Sequence, residues 1–525
     1  MPRTLVLTST FALGLLAGAC RQDDHHHCAS QGGDAYCQEK LGLGAGEVFC
    51  TNNCGGDYDF DGCLVASEPP ADGCWLCDGE GSENCDGMAE GSGTETATET
   101  ATDTSTVTET ASETTAETGP ELCEGQQDCT DPAQPFCAMT GDCVACNDMP
   151  NPDDACLGAD PALPVCVDAS CVACAEGKTD ACTGTTPICN TDTNTCEGCT
   201  SHDQCVETAC NFDAGNCIDA SAVVHVDGDY QNCGASDGSE GMPYCTLGAA
   251  LAGAGAETLV ILHERDGQNP YVEANTVTLT VAIFAAAGED PILQGFNNNP
   301  ALTVSPTGNL MLREIAVSNG PAEGVAVNGG DLWLERVDVR GNTDFGVVVL
   351  SGKAWVESSI FASNTAGGLS ISDGEFHIIN SYVSGSSSGP ALAQAAGSVD
   401  VLYSTLALPP ALGGAALECL DGSTVTVRNS IVVTTNAQPE LDCDGATLSR
   451  SAFEMMVNNN LALGDVDVQW FDGFLAGNLG LSMMAPATLA TAATWQTGDP
   501  ATDIDGNARP TVDGTPDYAG ADVPN

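Results

Sequence analysis

Between Asn309 and Val433 the chain repeats a pattern of apolar positions every 22 residues or so. Units begin at Asn309, Asp331, Lys353, Glu375, Ser398 and Thr424, at spacings of 22, 22, 22, 23 and 26. Most open with apolar residues two apart, Leu310/Leu312, Leu332/Leu334, Phe376/Ile378, Val399/Val401 and Val425/Val427. Such alternation predicts a strand with one buried face. A second apolar anchor stands eight residues into each unit, at Val317, Val339, Phe361, Val383, Leu406 and Val432. A third pair follows a Gly-rich turn, at Val325/Val327, Val347/Val349, Leu369/Ile371, Ala391/Ala393 and Leu417/Cys419. Three short strands per unit, with no stretch long enough for a helix between them, predict an all-β domain. The expected fold is a right-handed single-stranded parallel β-helix of about 22 residues per rung, stacked around one continuous core. A propeller blade needs about 40 residues, which excludes that alternative.

Stacking at roughly 4.8 Å places equivalent residues of successive rungs above one another, so charges in a column should complement each other. Arg313, Glu335 and Glu357 share one column, and Glu314 and Arg336 share the next. Ser359, Ser381, Ser404 and Ser430 form a further column, often preceded by Ser or Asn, which reads as a polar ladder at a corner. Val339 and Val383 are expected to point inward, whereas Met311, Trp333 and Trp355 occupy the outward middle of the first strand.

Outside the solenoid the composition changes in blocks. Arg3, an apolar run from Leu5 to Leu16 and Leu16-Ala-Gly-Ala-Cys20 form an export signal too short to anchor stably in a bilayer. It resembles a bacterial lipoprotein signal. That resemblance implies acylation of Cys20 and attachment to a membrane; Ala17-Gly-Ala19 also fits an ordinary cleavage site, and the alternative is free secretion. Apart from Cys20 there are 28 cysteines in even groups: eight from Cys28 to Cys85, sixteen from Cys123 to Cys217, and the pairs Cys233/Cys245 and Cys419/Cys443. Even counts predict disulfides within each module and an oxidising compartment. Each of the two pairs is the only one available in its stretch and is expected to bridge.

The sixteen cysteines repeat from Cys129, Cys156, Cys182 and Cys205, three units ending in Cys-x-x-Cys. With few large apolar residues, such modules need covalent staples. Gly91 to Pro120 is almost wholly Thr, Glu, Ala and Ser and is expected to be a disordered acidic linker. The domains expected are therefore 1–19 signal peptide, 20–90 acidic Cys-rich module, 91–120 linker, 121–220 disulfide repeats, 221–440 β-helix and 441–525 its C-terminal cap.

Charge narrows the partners. A net charge of −62 repels nucleic acid, anionic lipid and polyanionic sugars. The sharpest local motif is Asp57-x-Asp59-x-Asp61-Gly62 with Glu68, which matches a twelve-residue calcium loop, Cys63 offering its carbonyl at position seven. An acidic turn in a stapled module is the bland alternative, since no amphipathic helices flank it. No other cofactor is implied. His25-His26-His27-Cys28 reads as a spacer rather than a metal site. Trp333 and Trp355, stacked on adjacent rungs, are candidates for a sugar-binding platform or for shielding under a loop. For catalysis the rungs offer Asp338, Asp344 and Arg340 close together, without a matching acid pair on a second rung.

Val224-His-Val-Asp-Gly, then Gly241-Met-Pro-Tyr-Cys-Thr-Leu-Gly-Ala-Ala-Leu before a strand at Thr258 to Leu262, resembles the opening segment of right-handed β-helix proteins, where a short helix caps the solenoid. Asp503-Ile-Asp-Gly-Asn-Ala-Arg509-Pro510 with Pro516-Asp-Tyr-Ala-Gly520-Ala-Asp522 resembles the end of the choice-of-anchor Q domain family. The signal plus Cys-rich repeats is similar to surface proteins of myxobacteria. Together these resemblances imply a cell-surface lipoprotein of the outer membrane that presents a β-helix for adhesion or for glycan or protein binding. The alternative is a carbohydrate-active enzyme, a polysaccharide lyase or glycoside hydrolase, on the same scaffold.

Overall fold

The computed structural model describes Cys123, 128–129, 131 and 134–524, except 387, 410–413, 421, 436–438 and 456, together with two paired strands at Val48–Cys50 and Cys63–Val65. Residues 117–525 form one compact unit.

Four disulfide modules open this unit. In each, the first cysteine bonds the third and the second bonds the fourth: Cys123–Cys137 and Cys129–Cys143, Cys146–Cys166 and Cys156–Cys171, Cys174–Cys189 and Cys182–Cys196, Cys199–Cys210 and Cys205–Cys217. This connectivity shifts the repeat frame read from the sequence. Cys-x-x-Cys does not end a unit; it joins the last cysteine of one module to the first of the next, as Cys143 and Cys146 show. The fourth module lacks the motif because no further module follows it.

The rest is a parallel β-solenoid of about 8 turns with about 23 residues per turn. Its strands form a sixteen-stranded and a ten-stranded sheet, and neighbours in both are parallel. The first-strand pairs and all six second anchors stack in the register expected from the repeat, Val317 on Val339, Phe361, Val383, Leu406 and Val432 in turn. These side chains are buried in one core running from Val226 to Phe453. Removing a Val- or Leu-sized side chain from water contributes about 1.5–3 kcal/mol, which is why a fold with so little helix can be stable.

Third and first strands merge where two coils share a corner, giving the continuous strands Val325–Glu335 and Phe345–Glu357. The bend is made by stacked glycines. A Cβ on Gly352 would lie 2.1 Å from the Gly330 carbonyl oxygen, and one on Gly374 would lie 2.1 Å from that of Gly352. At the next corner the chain instead turns through left-handed residues: Glu314, Arg336, Ser358, Asn380, Tyr403, Asn429 and Arg450 have φ between 45° and 59°.

From Ser358 onward, the residue after each of these corners is a serine, and these serines build a ladder. Val337 N–H donates to Ser359 Oγ, Ser359 N–H to Ser381 Oγ, Ser381 N–H to Ser404 Oγ, Ser404 N–H to Ser430 Oγ and Ser430 N–H to Ser451 Oγ, all at 3.0–3.1 Å. These serines are buried, and the ladder satisfies amides that the turn would otherwise orphan. A second ladder, Asn342 on Asn364, went unrecognised in the sequence.

Two expectations fail. The third pair of its coil is Leu392/Gln394, not Ala391/Ala393, because the 23-residue spacing slips the register by one; Gln394 is buried and bonds the carbonyls of Gly397 and Thr424. Met311 is on the outer face as expected, yet it is fully buried, because the fourth disulfide module lies over it.

After Leu461–Ala462 the chain leaves the stack and lies along the outer face of the ten-stranded sheet. Phe471, Phe474, Leu479, Leu489 and Trp495 form a second core there with Tyr382, Tyr403 and Ile431. Arg509 is the main tie: it bonds Asp517, the Gly520 carbonyl and Asn380 Oδ1, and its guanidinium stands 4.1 Å over the Tyr403 ring. Of the segment 441–525, residues 441–462 thus extend the stack and those after it cover a flank.

Candidate functional site

The outward column of the first strand runs Leu259, Ala282, Met311, Trp333, Trp355, His377, Asp400 and Thr426. It is apolar at one end, aromatic in the middle and polar at the other. The fourth module covers the apolar end, where Ala209 and Ile218 are buried with Leu259, Ala282, Phe284 and Met311. His202 fits between Phe212 and Phe284, with ring centroids 4.6 and 4.7 Å away, and accepts the Cys210 N–H at Nδ1. Burial pushes its imidazole down to about 3. Glu257 accepts from the side-chain amides of Asn211 and Asn216, and Asp203 pairs with Arg313 at 2.6 Å.

Where that cover ends, a groove of about 690 Å³ opens between module and solenoid. Its lining includes Phe212, Trp333, Trp355, Asp331, Lys353, Glu335, Arg336 and Glu357. The indoles of Trp333 and Trp355 are parallel within 3° at 4.8 Å, Phe212 leans on the first and His377 stacks on the second at 5.6 Å. Coplanar indoles would collide at that distance, so the rings overlap face to face. They turn edges rather than open faces to the groove.

Beside this aromatic wall lies the charge column. Arg336 bonds Glu335 at 2.6 Å and Glu314 at 2.9 Å, and Arg313 stands 3.6 Å from Glu335. Glu335 and Glu357 are register neighbours. Burial raises the Glu335 carboxyl above its ordinary value, with Arg336 and Arg313 opposing. Glu357 is open to solvent on one side, but the groove walls displace enough water to raise it too, and the charge of Glu335 adds to the shift. On the other edge, Asp331 is raised by burial, and Lys353 reaches Glu375 at 3.4 Å. Carboxylates that share an edge with a lysine and an arginine can both accept and orient hydroxyl groups.

Other sequence candidates stand elsewhere. Asp338 and Arg340 bind each other at 2.5 Å, and Asp344 accepts the Phe345 N–H; none lines the groove. Cys233 bonds Cys245, and Cys419 bonds Cys443. Cys20, Asp57, Asp59, Asp61 and Glu68 lie outside the described residues, and of Cys63 only its place in a short strand is described. Among the described residues, the trios of ligand atoms within 4.8 Å of one another are all cysteine sulfurs, and these are held in disulfides. The Glu335/Glu357 column was legible from the repeat. Its conversion into a groove by Phe212 and Asp203 was not, since nothing in the spacing says where a stapled module will dock.

Residues 109–223 match the family of unknown function DUF8331, a stretch that takes in the four modules and ends as the solenoid begins. No curated protein and no solved structure matches the chain.

Proposed function

We propose that this is a non-enzymatic cell-surface lipoprotein whose β-solenoid binds a neutral glycan in the groove beside Trp333 and Trp355. Ten disulfides among the described residues fit an exported protein, and no helix among those residues is long and apolar enough to cross a membrane. Acyl chains on Cys20 then supply the membrane attachment. Replacing Cys20 by Ser should move the protein from detergent to the aqueous phase; unchanged partitioning would remove the anchor from this reading.

The observation that carries the glycan assignment is the combination of an aromatic edge with Asp331, Lys353, Glu335, Arg336 and Glu357 in one concave site. Sugar hydroxyls present paired donors and acceptors, which carboxylates and guanidinium groups match, while the C–H faces lie against the indole edges. The acidic surface selects against polyanionic sugars. A glycan array run beside a degradation assay tests this. Binding without breakdown, weakened at least tenfold by Trp355→Ala, is the expected result; no binding to any neutral glycan would sink it.

A second reading has one observation in its favour. Glu335 and Glu357 are neighbouring acids raised above their ordinary values in one groove, as a general acid requires. Glycan breakdown abolished by Glu357→Gln would establish the carbohydrate-active alternative.

A further inference from the structure

The flank-covering tail gathers carboxylates that make no ion pair. Asp505 and Asp522 are held beside Asp503, whose carboxylate accepts the N–H groups of Asp505 and of Val523, and the charges acting on Asp505 are those of Asp503 and Asp472, both repulsive. Asp503 is fully engaged: it accepts the N–H groups of Asp505, Asn507 and Val523 and the Asn507 side-chain amide. Asp522 is buried, and one of its oxygens accepts the Leu481 N–H. Asp472 and Asp505 are exposed, and their carboxylates have no hydrogen-bond partner among the described residues. The arginines of this flank are committed elsewhere, Arg509 to Asp517 and Arg428 to Asp499.

A second observation points at the same place. Tyr382 is only 3% exposed, and its hydroxyl has no hydrogen-bond partner. The four carboxylates nearest it in effect are Asp522, Asp505, Asp503 and Asp472. Gly480 leaves the intervening space open: a Cβ there would lie 3.3 Å from the Tyr382 hydroxyl, 3.3 Å from Asn478 Oδ1 and 3.5 Å from Asp472 Oδ2. A buried phenol without a partner beside several uncompensated carboxylates is a costly arrangement, since the hydroxyl loses its bonds to water and gains none in the fold.

We propose that Asp472, Asp505 and Asp522 bind a divalent cation of the calcium class beside the Tyr382 hydroxyl, fastening the tail to the ten-stranded sheet. Calcium takes 6–8 oxygens at about 2.3–2.6 Å in flexible geometry. The three carboxylates do not yet stand as a trio within 4.8 Å. Binding requires Asp472 and Asp505, whose side chains are exposed and free to turn, to swing in to Asp522. The phenol then donates to a ligating carboxylate or to a water on the ion. Nothing in the groove at Trp333 and Trp355 takes part, so this site stands or falls separately from glycan binding.

The test uses the full chain stripped with chelator, then titrated with calcium while thermal unfolding is followed, and with terbium while sensitised luminescence is read. The double variant Asp472→Asn/Asp505→Asn is compared with Asp59→Asn, which disables the separate candidate loop at 57–68. The expected result is a calcium-dependent rise in melting temperature and terbium emission in the parent chain, both retained in Asp59→Asn. In the double variant calcium affinity should fall at least tenfold. Full calcium stabilisation and full emission in the double variant would overturn the proposal, as would the absence of any calcium effect on the parent chain.

Discussion

The fourth disulfide module and the coils around Val339 are folded by opposite means. In the module the internal core is a cluster of half-cystines, Cys199, Cys205 and Cys210, and its bonds close loops whose ends are 11 and 12 residues apart. In the coils the buried residues are Val, Leu, Ile and Phe, and each touches its equivalents about 22 residues away. A covalent bond restricts the unfolded chain locally and requires no neighbour. A stacked strand is stable only because the next coil covers it. The join between these regions is neither kind: an apolar patch around Met311, edged by the Asp203–Arg313 ion pair and the bonds of Glu257 to Asn211 and Asn216, holds module to solenoid and makes the groove.

Reduction should separate the two regions most sharply. Each loop closure contributes about 3 kcal/mol, so a reductant should abolish order across 134–217 while the parallel sheets persist. Hydrogen exchange reads this directly: protection lost in the modules and kept at Leu332, Val339 and Phe361. Equal loss in both would show that the modules hold the solenoid together, and the contrast would be broken.

A buried charge should strike the solenoid instead. Val339→Asp places an unpaired carboxylate in the continuous core and should cost on the order of 3–5 kcal/mol. Met311→Asp should cost a similar amount, since module four covers that outer position, whereas Asp400→Asn in the same column should cost under about 0.5 kcal/mol. Melting curves decide. A harmless Met311→Asp would mean that module four does not rest on the solenoid in solution.

A pH-dependent effect, local to module four, sharpens the join itself. His202 is held neutral, its folded value about 3 lying below the ordinary 6.5. Its contribution is therefore complete above about pH 6.5, declines as pH falls below that value and is gone below about 3, by up to about 1.4 kcal/mol per pH unit. Exchange protection in 199–217 should weaken between pH 7 and 4, and His202→Asn should flatten the dependence. A module equally protected at both pH values would argue against this burial.

How much was legible follows the same division. The repeat revealed the register of Val317 through Val432, the serine ladder and the charge column, because stacking imposes one rule at every rung. It failed at Ala391, where a single extra residue moved Gln394 inward, and at Met311, where a distant module changed an outer position into an inner one. Among the cysteines, the even counts were readable but the frame was not. Cys-x-x-Cys looks like a unit and is a joint, and only connectivity distinguishes the two. Glu335 and Glu357 were visible as neighbours, while the groove around them depends on Phe212, more than a hundred residues earlier in the chain.

The serine ladder has a polarity. Every amide in it reaches toward the coil that comes later in the chain, and the series closes when Ser451 N–H donates to Asn460 Oδ1. Shortening the protein from its N-terminal side would free hydroxyls that already donate to carbonyls of their own coil, as Ser430 does to Arg428. Shortening it from the C-terminal side would take the acceptor from a backbone amide that makes no other bond in its own coil, leaving water to replace it. The two ends of the stack are therefore not interchangeable: this scaffold tolerates new beginnings more readily than new endings, and a synthetic extension would have to carry its own terminating asparagine.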